Sequence, residues 1–410
     1  MNEYLFTKIR QQFDNTSLGD IEQTVIEQVS AKLSIAPGAS IAIGAGSRGI
    51  ANIARIVGAV VNAVKAKGGA PFVFPAMGSH GGATGEGQQE ILATYGITEE
   101  TMGCPIRSSM EVVQLDNGGL ELPLYMDKTA HDSDGIILVN RIKPHTAFHG
   151  TYESGLVKMS IIGLGKERLA NAIHSFGVHG LKVLMPQAGR KILETGKVLL
   201  GVGIVENAYD QTAIIETMTP AEILDREPIL LDIAKAKLPS FPLNEIDVLV
   251  VDQIGKNISG SGMDPNIIGR MRIRGSSDEP PFPDIKSIVI TDLTDVSHGN
   301  ACGIGLADVA TRRLADKIDW DVTYMNGITS GFYEHFMLPI VAPTDRQALD
   351  WGIRASHDPH KPKKLVRILD TLHLGELYVS DAALAEVKDK VEIVSQPMNL
   401  FDQQGSLFPF

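Results

Sequence analysis

Histidine and lysine side chains set among glycines are the residues of this sequence best suited to chemistry. His80 lies in Met77-Gly-Ser-His-Gly-Gly-Ala-Thr84, just after the apolar run Phe72-Val-Phe74. An imidazole titrates near neutral pH and can carry a proton, although a lone loop histidine is equally well explained as a surface residue. The richest stretch is Asn140-Arg-Ile-Lys-Pro-His-Thr-Ala-Phe-His-Gly-Thr-Tyr-Glu-Ser-Gly-Leu-Val-Lys158. Its His145 and His149 have no third ligand at zinc-like spacing nearby, which leaves proton transfer as their better use. Lys158 is flanked by Leu156-Val157 and by Met159 with Ile161-Ile162, so it either snorkels to the surface or is held in a pocket for use. Sixteen residues on, Gly163-Leu-Gly-Lys-Glu-Arg-Leu-Ala-Asn-Ala-Ile-His174 reads as a turn into a helix. His174, taken alone, reads as a structural histidine.

Other loops suit anions. Gly44-Ala-Gly-Ser-Arg-Gly49 has the G-x-G-x-x-G spacing between a strand and a helix, where glycines admit an anion and the helix N-terminus offers free N–H groups. A dinucleotide site also needs an acidic residue at the end of the next strand, and that strand ends Phe-Val-Phe-Pro-Ala-Met-Gly. Another anion is the better ligand, with Ser47, Arg48 and Gly49 at its edge and the Arg48 guanidinium paired to phosphate or carboxylate. Gly255-Lys-Asn-Ile-Ser-Gly-Ser-Gly-Met-Asp-Pro-Asn266, with the cation Lys256, and Ser297-His-Gly-Asn-Ala-Cys-Gly-Ile-Gly-Leu-Ala-Asp308 repeat the pattern after later strands. Each loop alone could simply turn the chain; together they suggest one cleft that binds an anion.

The elements that must carry these loops alternate. Short apolar strands at Ile41–Gly46, Phe72–Phe74, Gly135–Asn140, Val198–Val205, Asp247–Asp252 and Ser287–Asp292 are separated by helical patterns such as Ile50–Lys67. That alternation predicts an α/β protein with largely parallel sheets, in which ligands sit beyond the carboxyl ends of the strands. Leu238-Pro-Ser-Phe-Pro-Leu243 breaks the series, since two prolines stop a helix. It predicts two α/β domains, 1–240 binding the cofactor and 241–410 closing an interdomain cleft.

The 410 residues carry a net charge of −12 with no Lys/Arg-rich block, which speaks against nucleic acid and membrane-surface partners. No apolar run reaches membrane-spanning length, and Met1-Asn-Glu-Tyr-Leu-Phe-Thr-Lys-Ile-Arg lacks the apolar core of a secretion signal. Cys104 and Cys302 stand alone. A cytoplasmic protein is expected, with self-association left open.

With Ser47-Arg48, Gly78-Ser-His80, Pro144-His145, Lys158 and His174 in place, the chain resembles the nickel-dependent lactate racemases, which use a nickel-pincer nucleotide. The resemblance covers mainly residues 40–210, and the sixteen-residue spacing from Lys158 to His174 is its most specific match. It implies that Lys158 holds the cofactor through a thioamide and that His174 ligates nickel. It further implies that His80 and His145 are the paired acid and base acting on a 2-hydroxy acid while the α-hydride moves to and from the cofactor. Arg48 and Lys256 would bind the substrate carboxylate, and cofactor biosynthesis proteins would be partners.

The chain departs from the family where His-Thr-Arg-Pro becomes Gly-Ser-Arg-Gly and Gly-x-His-Arg becomes Gly-Ser-His-Gly. The stretch ending Tyr152-Glu-Ser-Gly-Leu-Val-Lys158 differs as well. These departures point to a divergent subgroup with another substrate. Two other readings compete with a 2-hydroxy acid racemase or epimerase: a non-catalytic binder of small anions, and a nicotinamide-dependent oxidoreductase.

Overall fold

The computed structural model describes residues 4–46, 49–276 and 278–410. The chain divides into two compact units: Asp14–Lys237, and the residues up to Phe13 together with Leu238–Phe410. The first strand, Leu5–Arg10 (β1), is thus a correction to the expected 1–240 domain. It pairs antiparallel with a late strand, Thr7 opposite Val379 and Arg10 opposite Glu376. Ile9 is buried in the core of the C-terminal unit, and Lys8 and Arg10 both form ion pairs with Glu376. Nothing in the local pattern of six residues specifies a partner this distant, which is why the sequence misassigns them.

The unit Asp14–Lys237 holds Ser40–Ala45 (β2), Ala70–Pro75 (β3), Val112–Leu115 (β4), Leu124–Asp127 (β5), Gly135–Arg141 (β6), Val198–Glu206 (β7) and Thr212–Met218 (β8). Its sheet runs β3-β2-β6-β7-β8; the first four strands are parallel and β8 returns antiparallel, while β4 and β5 form a separate hairpin. Ile41, Ala42, Ile43 and Ala45 of β2 are all inaccessible to solvent, as a strand covered on both faces requires. Helix Ile53–Ala66 covers one face with Ile53, Ile56, Val57, Val60 and Val64. In β2, Gly44 leaves room for its neighbours: a Cβ there would lie 3.1 Å from both Ala76 and Phe74.

The other unit contains Glu245–Ile254 (β9), Asp284–Leu293 (β10), Val309–Thr311 (β11), Ile340–Ala342 (β12), Leu365–Ile368 (β13), Glu376–Val379 (β14), Glu392–Ile393 (β15) and Met398–Asn399 (β16). These join β1 in a nine-stranded sheet of order β12-β11-β10-β9-β13-β14-β1-β15, with β16 also on β1. The strands from β12 to β13 are parallel, and the additions at the other end are antiparallel. Both units are therefore α/β with largely parallel sheets. Among the described residues no helix is long and apolar enough to cross a membrane.

Candidate active site

Strands β3, β2 and β6 lie side by side and parallel, so the segments that follow them leave one edge of the sheet. Two of those segments carry His80 and His145. Gly46, after β2, packs so closely on Asn140, near the end of β6, that a Cβ would sit 3.3 Å from its Oδ1. Asn140 in turn donates to Gly155 O (2.9 Å), and the backbones of Lys143 and Ser154 bond each other in both directions. The His145 loop is thereby tied to the start of the segment that carries Lys158.

The His80 loop is folded by its glycines. A Cβ at Gly87 would stand 2.1 Å from Gly81 O, and Gly81 has φ +63°, so the loop doubles back onto the first turn of helix Gly85–Thr94 at a distance only two glycines permit. Thr84 caps that helix, accepting from Gly87 N. Gly78 faces Ile162 and Ala170 at 2.9 and 3.2 Å from a would-be Cβ, which seats the loop directly on the chain between Lys158 and His174.

The His145 loop is organised by Glu153, whose side chain is wholly buried. Its carboxylate accepts from His145 N (2.7 Å) and Gly150 N, lies 3.4 Å from His149 Nδ1 and pairs with Lys235 at 2.8 Å. Burial pushes this carboxyl up, but His149, the Lys235 ammonium and the His145 amide together hold it below the usual carboxylate range. His145 Nδ1 accepts from Ala147 N (3.1 Å), so the neutral ring carries its proton on Nε2. Phe148 packs against the same ring, centroid to centroid 4.6 Å.

Lys158 closes the short helical turn Leu156–Lys158, and a π-helical turn, Met159–Gly163, follows at once. Such turns are often found where function requires side chains re-aimed. Leu156, Val157, Met159 and Ile161 point into the core while Lys158 is half-exposed. The expected helix is Lys166–Ser175, with His174 as its penultimate residue. Lys158 and His174 are electrostatic neighbours. Burial first, and the Lys158 ammonium second, bring the His174 imidazole down to about 4, so it is neutral at physiological pH, the form that ligates metals.

Behind Lys158 stands Glu227, from helix Pro220–Ala236. It accepts from Val157 N (2.9 Å) and caps the turn from across the unit; its other oxygen has no hydrogen-bond partner among the described residues. Gly155 makes the room, since a Cβ there would lie 2.2 Å from that oxygen. Burial pushes the Glu227 carboxyl up to about 7 against the pull of the Val157 and Leu156 amides. Such a group binds more protons folded than unfolded between its ordinary value of 4.5 and about 7. Its contribution therefore favours the fold at low pH and fades as pH rises through that window. Glu227→Gln, which cannot ionise, should gain on the parent protein by up to about 3 kcal/mol between pH 4.5 and pH 8. Urea unfolding at both ends of the window measures the gain, and a difference between the proteins that ignores pH would refute it.

Of the expected site residues, the structure places His80, His145, Lys158 and His174 around one edge of the sheet of unit Asp14–Lys237. Ser47 and Arg48 lie outside the described residues; Gly49 is exposed. Lys256 belongs to the other unit, where its Nζ donates to Gly260 O (2.8 Å) and its amide to Ser297 Oγ. Among the described residues no three His, Cys, Asp or Glu side chains form a metal cage.

Sequence reasoning missed the buried polar groups Gln88, Asp127 and Lys166, and the half-exposed Lys235 that pairs with Glu153. It also passed over Glu227, which had a readable signal, for it shares a stripe with Ile223, Leu230, Leu231 and Ala234, where a carboxylate is out of place.

By sequence, no family model and no curated protein matches the chain. By structure it is similar to the lactate racemase apoprotein from Thermoanaerobacterium thermosaccharolyticum, with a TM-score of 0.55 at 14% identity over 90% of this chain and 98% of that one. What the two share is the α/β fold.

Proposed function

We propose that the protein is an isomerase, a racemase or epimerase that inverts the α-carbon of a 2-hydroxy acid with a nickel-pincer nucleotide. What carries this reading is that the buried His174 lies within electrostatic reach of the Lys158 ammonium, and that Gly78 of the His80 loop seats on Ile162 and Ala170, in the chain between them. The donor set fits such a group. One amine and one imidazole cannot cage a metal by themselves, but they suffice for a cofactor that brings its own sulfur and carbon donors. The likeness of the fold to a lactate racemase supports the same class.

Lys158 would anchor the nucleotide and His174 would complete the coordination of nickel. When bound, the cofactor supplies acceptance and return of a hydride at the α-carbon. The chain's own work is the proton. His80 takes it from the substrate hydroxyl and gives it back to that oxygen once the α-carbon is again tetrahedral, while His145 donates a hydrogen bond from Nε2 to the same oxygen. For the opposite direction the roles exchange, which requires the His145 ring proton to move to Nδ1 and the bond from Ala147 to break. Arg48 is the cation proposed for the substrate carboxylate or the cofactor phosphate.

The test is inversion of configuration in a panel of enantiopure 2-hydroxy acids, followed by chiral chromatography, with protein co-expressed with the cofactor biosynthesis enzymes. His80→Ala and His145→Ala should each lower kcat by about 10²–10⁴ with a smaller change in KM. Nickel-loaded protein that inverts no member of the panel removes the proposal and leaves an anion-binding role.

A further inference from the structure

Lys166 is the largest charge buried without trace of solvent in the unit Asp14–Lys237. Its three N–H donors are all used: on Pro75 O at 2.6 Å, on Gln88 Oε1 at 3.1 Å and on Asp127 Oδ2 at 3.0 Å. Its backbone adopts φ +54°, a left-handed conformation that a lysine holds only where its surroundings impose it. Burial pulls the ammonium down, and Asp127 opposes that pull. Lysine has no acceptor, so the oxygen of the Gln88 amide must face it and the NH₂ must face the other way. There it meets the carbonyls of Met77 (2.6 Å), Gly78 (2.9 Å) and His80 (3.2 Å). Gln88 is wholly buried and its amide touches three of the four residues from Met77 to His80.

We infer that Lys166 and Gln88 are positioning residues that set the His80 loop against the helix carrying His174. Lys166 opens that helix, so the element that fixes His174 and the amide that fixes His80 share one ammonium. The loop needs such a brace because its glycines, φ +63° at Gly81 and +65° at Gly82, give it little stiffness of its own. The inference rests on the reading of His80 as a proton carrier, yet its geometry can be tested without turnover.

The experiment compares the full-length parent with Gln88→Leu, which keeps the bulk of the side chain and removes both ends of the brace. Leu92→Ala, an apolar truncation in the same helix, is the control for simple loss of stability. Modification of His80 by diethyl pyrocarbonate is followed by peptide mass spectrometry, with His131 as internal reference. In Gln88→Leu the His80 rate should rise at least about fivefold relative to His131, since a loosened loop opens locally; in Leu92→Ala it should stay within about twofold. With loaded enzyme, kcat for racemisation should fall about 10- to 100-fold in Gln88→Leu while KM moves by less than about threefold. An unchanged His80 rate in Gln88→Leu, or an equal rise in Leu92→Ala, overturns the inference. A parent that racemises no 2-hydroxy acid overturns the proposed function instead, and the modification rates still decide the role of Lys166 and Gln88.

Discussion

Lys158→Arg should leave a folded protein that carries no nickel and no mass adduct at position 158, and its racemisation of 2-hydroxy acids should fall to background. Arginine keeps the positive charge beside His174 but cannot be acylated, because its guanidinium stays protonated throughout the accessible pH range. Lys158 is half-exposed, so the exchange of one cation for another should shift stability by no more than about 0.5 kcal/mol. Intact-mass spectrometry, metal analysis and a thermal melt on the co-expressed proteins give the three readouts. An arginine variant that still retains nickel would show that the anchor lies elsewhere. The neighbouring charges carry a related consequence: converting Lys158 to an amide-like linkage removes the ammonium that presses on His174, leaving burial alone to keep the imidazole neutral.

The largest loss of stability is expected for Asp127→Ala. This carboxylate is one of the three acceptors of Lys166 and the only one with a full charge, and it also caps the turn Lys128–His131 through Ala130 N (2.9 Å). Removing it strands a buried ammonium, at a cost of about 3–5 kcal/mol, with about 1 kcal/mol more for the lost cap. In urea the midpoint should fall at constant slope. The double variant Asp127→Ala with Lys166→Met should lose less than the sum of the single changes, because neither charge is then left unpaired. A cost below about 1 kcal/mol for Asp127→Ala would mean that water reaches the pair.

How much of this was readable in the sequence depends on the range over which each feature is encoded. Strands such as β2 and β6 are apolar on both faces, and their alternation with amphipathic helices is a local signal, so the α/β class was readable. The loops were readable as well, since His80 and His145 sit in chain immediately after those strands. The membership of β1 was not, because its partner is fixed by pairing and by ion pairs to Glu376 rather than by local pattern. The supports of the site were missed for a similar reason. Lys166 and Gln88 look like ordinary helix residues until the fold brings them, 78 positions apart in the chain, within 3.1 Å. Glu153 stands in the stretch from Asn140 to Lys158 with no local signal of its own; its task, gathering two amides, His149 and Lys235, appears once the loop closes around it.

The late pairing of β1 also has a consequence for biosynthesis. Arg10 and its partner Glu376 are separated by 366 positions, so at about 5–20 residues per second the early strand emerges from the ribosome roughly 20–70 s before the strand it joins. The continuous stretch Asp14–Lys237 can collapse during that interval, its ends held by Asp14 and Lys237. Leu5–Arg10 meanwhile waits as an unpaired ribbon with Phe6 and Ile9 uncovered, the segment of the nascent chain most in need of a chaperone's protection.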